Sequence, residues 1–257
     1  MMASIIINKE TWLNIPILNI SQQDERNNPL PTVIFLHGIT SAKEQNLPIA
    51  YLLAEKGYRV ILPDAMLHGE REEKISSTAL KMRFFEIIKQ NLDDLESIYE
   101  VLAAKHLIKG DRLGIAGTSM GGISTAAALT QFSWVKTAGI LMGSPKLSEF
   151  ATMSIEGMKE QAPDIEIPEQ QIQTIMDDME EIDLSQRMET LFDRPLFFWH
   201  GEQDEVVPFD HSYSFYEMAA KQYTQSEKIK YVREANRGHK VSRMAINELV
   251  KWFETHL

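Results

Sequence analysis

An α/β fold with a doubly wound, mostly parallel sheet is predicted by three features of the 257-residue sequence. Short apolar runs alternate with helical patterns along most of the chain. The apolar runs are continuous rather than alternating, as strands covered on both faces require. The connections lead from strand to helix to strand, the order that builds a parallel sheet with helices on both sides.

Residues 4–7 and 11–20 are short β-type runs, and Pro16, which lacks an N–H, assigns the second to a sheet edge. The polar stretch 21–29 is a turn. TVIFLHG (32–38) is a buried strand, and the helical pattern 44–57 ends at Gly57 in a C-cap position before the next strand, Val60–Leu62. Residues 76–105 are helical, with Leu92, Leu95, Tyr99 and Leu102 on one face, and Gly110 closes that stretch. Further strands follow at 113–118, 138–143, 195–201 and 229–232, with helices after the first, over 208–223 and from 241 to the end. The apolar stripe of the last helix is Ile246, Leu249, Val250, Phe253 and Leu257.

Residues 146–194 interrupt this pattern. They contain no strand signal, five of the 13 methionines (Met153, Met158, Met176, Met179, Met188), and short helical patterns broken at Pro163 and Pro168. The expected organisation is one α/β core, 1–145 with 195–257, and an acidic helical insertion, 146–194. An insertion after that strand leaves the sheet at its C-terminal edge, where open α/β sheets bind ligands, so it is expected to cap the site. A solvated helical excursion is the alternative. Its methionines suit an adaptable apolar pocket and equally suit ordinary core filling.

Charge locates in the same segment. Residues 149–193 hold 13 acidic side chains against Lys159 and Arg187, which accounts for the whole formal net charge of −11. Nucleic-acid binding, which needs a basic surface, is not expected. The sequence has no cysteine, so disulfides, thiolate metal sites and a cysteine nucleophile are excluded. No zinc or phosphate-loop motif is present, and no metal or organic cofactor is expected. The N-terminus lacks a basic and apolar signal pattern and no run has transmembrane length, which points to a cytoplasmic protein without a membrane partner. The oligomeric state, monomer or homodimer, stays open.

Chemistry centres on Gly117-Thr118-Ser119-Met120-Gly121, where an apolar strand meets a small-residue helix. Gly-x-Ser-x-Gly between strand and helix reads as a nucleophile elbow, with a strained serine and glycines that allow close approach. An ordinary strand-to-helix turn is the plain alternative. A serine hydroxyl needs a general base, and the base a carboxylate to fix its tautomer. Each is sought on a loop after a strand. Asp204 follows the strand 195–200, and His239 lies between the last strand and the last helix. The order is Ser119, then Asp204 85 residues on, then His239 35 further. Glu202, Glu205 and Asp210 are neighbouring acids able to substitute for Asp204. His37 and His200, each followed by glycine, read as loop-shaping residues. His68 either lines the pocket or anchors its loop.

FLHGITSAKE (35–44), LPDAMLHGER (62–71), GTSMGG (117–122), HGEQDEVVP (200–208) and RGHK (237–240) together resemble the α/β-hydrolase superfamily over about residues 30–257. The chain looks most similar to small bacterial serine esterases of the dienelactone hydrolase and prolyl oligopeptidase-like branch. The resemblance implies the α/β-hydrolase fold, Ser119, Asp204 and His239 as catalytic residues, and Asp204 as the family acid within HGxxDxxVP. It also implies an oxyanion hole from the backbone N–H groups of Met120 and Ile39, with His37, Gly38 and His68 near the pocket. The loop lacks the Gly-Gly run of HGGG-type lipases, and the accessory domain usual for prolyl oligopeptidases has no room. Dienelactone hydrolases proper use a cysteine. The implied activity is hydrolysis of small or medium acyl esters. A thioesterase or small peptidase on the same residues, or a ligand receptor on a hydrolase fold, are the alternatives.

Overall fold

A computed structural model describes residues 4–161 and 167–257. Eight strands form one sheet: β1 (Ile5–Trp12), β2 (Ile15–Gln22), β3 (Leu30–Leu36), β4 (Arg59–Pro63), β5 (Ile108–Thr118), β6 (Thr137–Leu141), β7 (Leu196–Gly201) and β8 (Ile229–Glu234). Their order is β1-β2-β4-β3-β5-β6-β7-β8, antiparallel at the β1/β2 and β2/β4 pairs and parallel from β4 to β8. β3, β4, β6 and β7 are buried along their whole length, as their continuous apolar runs require.

The helices are α1 (Leu47–Glu55), α2 (Ser77–Met82), α3 (Phe84–Ala104), α4 (Met120–Gln131), α5 (Leu147–Gln161), α6 (Glu169–Glu181), α7 (Phe209–Ala220) and α8 (Arg243–His256). α1 and α8 cover one face through Leu53, Leu249, Trp252 and Phe253, while α3, α4 and α7 cover the other through Leu95, Ile98, Ile123 and Phe215. The strand order reverses between β3 and β5, which have β4 on one side and β6 on the other. Their C-terminal ends therefore flank the switch point where open α/β sheets hold ligands.

Several expectations are corrected. Residues 11–20 are not one strand: Leu13 and Asn14, at φ 47° and 67°, form a two-residue hairpin turn between β1 and β2. The edge strand is β1, and β2 lies inside the sheet between β1 and β4. Pro16 is tolerated there because it stands at the end of the β2/β4 ladder. Its carbonyl accepts the Asp64 N–H at 3.0 Å, and the Asp64 carbonyl, which has no proline N–H to meet, takes Arg71 Nη1 at 3.1 Å. The helical stretch 76–105 is two helices that break at Arg83. α3 is closed by His106 at φ 52° and not by Gly110; the Leu107 N–H bonds the Leu102 carbonyl and the His106 N–H bonds that of Ala103. Gly110 instead sits in β5, which starts earlier than expected.

Segment 146–194 holds α5, α6 and two 3₁₀ turns, Leu184–Gln186 and Met188–Leu191. Pro168 stands at the N-cap position of α6, at one of the two expected breaks, while Pro163 lies outside the described residues. Phe150 packs on Phe84 with ring centroids 5.8 Å apart, Lys89 of α3 pairs with Asp178 of α6 at 2.8 Å, and Met179 is fully buried in the core. Met179 is thus core filling. At the end of the segment the Arg194 guanidinium donates to the carbonyls of Thr190, Leu129 and Phe132, the last two at the C-terminus of α4. Burial without a carboxylate partner lowers its pKa to about 10.

Candidate active site

The elbow begins with backbone geometry. β5 ends at Thr118, α4 begins at Met120, and Ser119 between them adopts φ 53° and ψ −117°. A non-glycine residue held there stores strain of about 1–3 kcal/mol. The turn is held by the Ser119 N–H on the Leu141 carbonyl at 2.9 Å and the Ile123 N–H on the Ser119 carbonyl at 2.8 Å. Glycine is obligatory at the two flanking positions. A Cβ on Gly117 would stand 2.3 Å from the Gly121 backbone, and one on Gly121 would stand 2.2 Å from the Leu36 carbonyl oxygen.

Three side chains from three loops meet here. The loop after β7 carries Asp204 and the loop after β8 carries His239; the two are laced by the Gln203 N–H on the Arg237 carbonyl at 2.8 Å. His239 Nε2 lies 2.8 Å from Ser119 Oγ, and its Nδ1 lies 2.7 Å from Asp204 Oδ2. Of Glu202, Asp204, Glu205 and Asp210, Asp204 is the acid hydrogen-bonded to His239. Its Oδ1 accepts the N–H groups of Val206 and Val207 at 2.9 and 3.0 Å. Burial opposes ionisation of Asp204, but hydrogen bonds from His200, His239, Val207 and Val206 outweigh it and hold the carboxyl well below the usual range. Asp204 is therefore the ionised acceptor that fixes the hydrogen of His239 on Nδ1 and leaves Nε2 free to take the serine proton.

On the other side of the elbow, Gly38 packs against Ser119; a Cβ built on it would be 3.5 Å from Ser119 Cβ. The backbone N–H groups of Ile39 and Met120 have no acceptor among the described residues. His37 and His68 are both buried with both ring nitrogens used. His37 Nε2 accepts the Ala65 N–H at 3.0 Å while Nδ1 donates to the Gly38 carbonyl at 2.8 Å. His68 Nε2 accepts the Thr40 N–H at 3.1 Å while Nδ1 donates to the Met66 carbonyl at 2.8 Å. These two neutral rings, 5.2 Å apart, staple the loop after β3 to the loop after β4 on either side of Ile39.

An ion cluster completes the clasp. Lys43 and Asp64, both fully buried side chains, pair at 2.5 Å, and the Lys43 ammonium also reaches Glu70 at 2.5 Å and Glu44 at 3.0 Å. Burial disfavours the ammonium, yet its bonds to Asp64, Glu70 and Glu44 raise its pKa above the ordinary lysine value. The stretches 35–44 and 62–71 are thus two halves of one clasp. Nothing in the spacing of Lys43, Asp64 and Glu70 along the sequence signals this, because the partners lie 21 and 27 residues apart. His200, read as loop-shaping, also touches the site: its Nε2 lies 3.0 Å from Asp204 Oδ2.

Burial lowers the pKa of His37 from 6.5 to about 4. An unfolded chain takes up that proton near pH 6.5, whereas the folded one resists until about pH 4. Stability is therefore expected to fall as pH drops through this window, by up to about 3 kcal/mol from His37 alone. Urea unfolding of His37→Gln, which keeps an acceptor for Ala65 but cannot titrate, should show a correspondingly shallower loss between pH 7 and 4.

Among the described residues no group of three or more His, Asp or Glu is arranged to hold a metal ion, and no helix is long and apolar enough to cross a membrane.

Comparison with known proteins agrees with this architecture. YitV of Bacillus subtilis, which bears an esterase name, is 42% identical over 98% of this chain and 100% of its own length. The esterase YjfP of Escherichia coli is 28% identical, with the same coverage. The structure of TT1662 from Thermus thermophilus superposes with a TM-score of 0.76 over 98% of both chains at 18% identity, which speaks to the fold. The model of the prolyl oligopeptidase family matches residues 46–257. With an α/β-hydrolase fold and a family match over most of its length, the chain belongs to the prolyl oligopeptidase family and is a serine hydrolase.

Proposed function

We propose that the protein is a carboxylesterase acting on small or medium acyl esters through Ser119, His239 and Asp204. The observation that carries this reading is the unbroken hydrogen-bonded chain from Ser119 Oγ through His239 to an ionised Asp204. Ser119 Oγ attacks the ester carbonyl as His239 Nε2 takes its proton, and Asp204 stabilises the resulting imidazolium. The N–H groups of Ile39 and Met120 receive the oxyanion, aided by the positive end of α4. Collapse of this intermediate breaks the ester C–O bond, and the His239 proton leaves with the alcohol. A water molecule, deprotonated by His239, then attacks the acyl-enzyme; the acid departs and Ser119 recovers its proton.

The outer turns of α5 and α6 serve as the cap, and the acidic charge of segment 146–194 sets the preference. It repels polyanionic acyl carriers, an effect that salt screens beyond roughly 10 Å. Of the basic residues beside His239, Arg237, Lys240 and Arg243, which would favour coenzyme A thioesters, Arg237 faces Glu234 at 3.7 Å. Neutral esters are therefore the favoured class. The esterase names of YitV and YjfP support the same choice.

The test combines labelling with a substrate series. A fluorophosphonate is expected to add once, on Ser119, and to abolish turnover of p-nitrophenyl acetate and butyrate, with coenzyme A thioesters turned over far more slowly. Turnover of thioesters alone would replace the reading by a thioesterase. Ester binding without turnover would make the chain a receptor.

A further inference from the structure

The carboxylate that orients His239 has a second histidine on it. We infer that His200 is a positioning residue for the reaction, donating its Nε2–H to the same Asp204 oxygen that receives His239 and thereby fixing the carboxylate and sharing its charge. The inference rests on the ester-hydrolysis reading above.

His200 is the penultimate residue of β7 and is 1% exposed. Its Nε2 lies 3.0 Å from Asp204 Oδ2 and 3.0 Å from the Val207 carbonyl oxygen. Both atoms accept only, since Asp204 is ionised, so Nε2 must carry the hydrogen. Nδ1 lies 2.8 Å from Ser212 Oγ on α7, which in turn lies 2.8 Å from the Tyr231 hydroxyl on β8. The ring is therefore held from both ends, between the acid and a serine–tyrosine pair contributed by two other elements. With Val206 and Val207 on Oδ1 and two histidines on Oδ2, the carboxylate accepts four hydrogen bonds and has one orientation.

The chemical consequence follows from Oδ2 being shared. A donor on a carboxylate spreads its charge, which makes it a weaker partner for the imidazolium of His239. The other groups nearby do not take over this role. His211 faces His200 at longer range, Glu202 lies 3.5 Å from Arg233, and Glu234 lies 3.7 Å from Arg237. Tyr231 is kept protonated, first by burial.

The experiment measures kcat/KM for p-nitrophenyl acetate against pH in wild type, His200→Leu and His200→Gln. Leucine removes both ring nitrogens; glutamine returns an N–H donor close to the Nε2 position. The leucine variant is expected to move the acidic limb to higher pH by about half a unit or more and to lower kcat about 10- to 100-fold with little change in KM. Glutamine should bring the limb back toward wild type. A folded leucine variant that loses activity with its limb unmoved would overturn the inference, because a purely structural role predicts that result. A second measurement needs no variant: ¹⁵N NMR of the full wild-type chain should show His200 protonated on Nε2 from pH 6 to 9, and a bare Nε2 would also overturn it. Failure of the ester-hydrolysis reading has a separate signature, turnover that survives Ser119→Ala.

Discussion

Ser119→Ala is expected to lower kcat for short p-nitrophenyl esters by about 10⁵- to 10⁶-fold, the scale on which loss of a serine nucleophile is felt when its partners act as a unit. KM should change little, since the acyl group meets the same walls. The residual rate should remain above that in water, because the Ile39 and Met120 N–H groups, the proposed oxyanion donors, are untouched by the substitution. The fold should not suffer. The turn at residue 119 is held by backbone atoms, the N–H to Leu141 and the carbonyl to Ile123, and alanine supplies both. Alanine carries the same strain at φ 53°, whereas glycine does not. Ser119→Gly should therefore be inactive yet more stable than Ser119→Ala by about 1 kcal/mol or more in urea unfolding. Equal stability of the two would mean that the elbow stores no strain.

Lys43→Met carries the largest expected loss of stability, about 3–5 kcal/mol, because it leaves the fully buried Asp64 carboxylate without its cation. Glu70 retains Lys9 at 2.7 Å and Asp64 retains the N–H groups of Lys43 and Glu70, so the loss is not total. Removing both charges should be milder than removing one. Lys43→Met with Asp64→Asn is expected to recover part of the deficit, a coupling that a double-mutant cycle in urea reads directly. Activity gives an independent readout. The clasp holds the loop that presents the Ile39 N–H, the proposed second oxyanion donor, and loss of one such donor typically lowers kcat by about 10²–10³. A Lys43→Met protein with wild-type midpoint and wild-type kcat would show that the ion cluster neither stabilises nor positions.

β3, β4, β6 and β7 are legible in the sequence because each carries an apolar run at its centre, and the elbow because two glycines frame one serine between a strand and a helix. The Asp204 and His239 positions follow from their place on loops after successive strands. The hairpin at Leu13–Asn14 was hidden because it contains no glycine; two ordinary residues bear positive φ there, held by the β1/β2 pairing. Pro16 misled for a similar reason. The carbonyl it leaves unmatched is met by Arg71, which no local pattern reveals. Lys43 and Asp64 run against composition, since lysine and aspartate are rarely buried unless paired, and the pairing exists only in three dimensions. His200 precedes Asp204 by four residues in plain view, but its contact depends on how the loop after β7 folds back on the strand.

The Arg194 anchor alters how the insertion can be treated by an engineer. α4 begins beside Ser119 and ends at the carbonyls that Arg194 occupies, and both 3₁₀ turns of segment 146–194 pack along it. Leu147, Ala151, Ile182, Leu184 and Leu191 are buried in the same core as the sheet. Excising the whole segment to obtain a minimal hydrolase would strip one flank of the helix that starts beside Ser119. An exchange of this segment would have to keep 182–194 as part of the body and graft only the outer turns of α5 and α6.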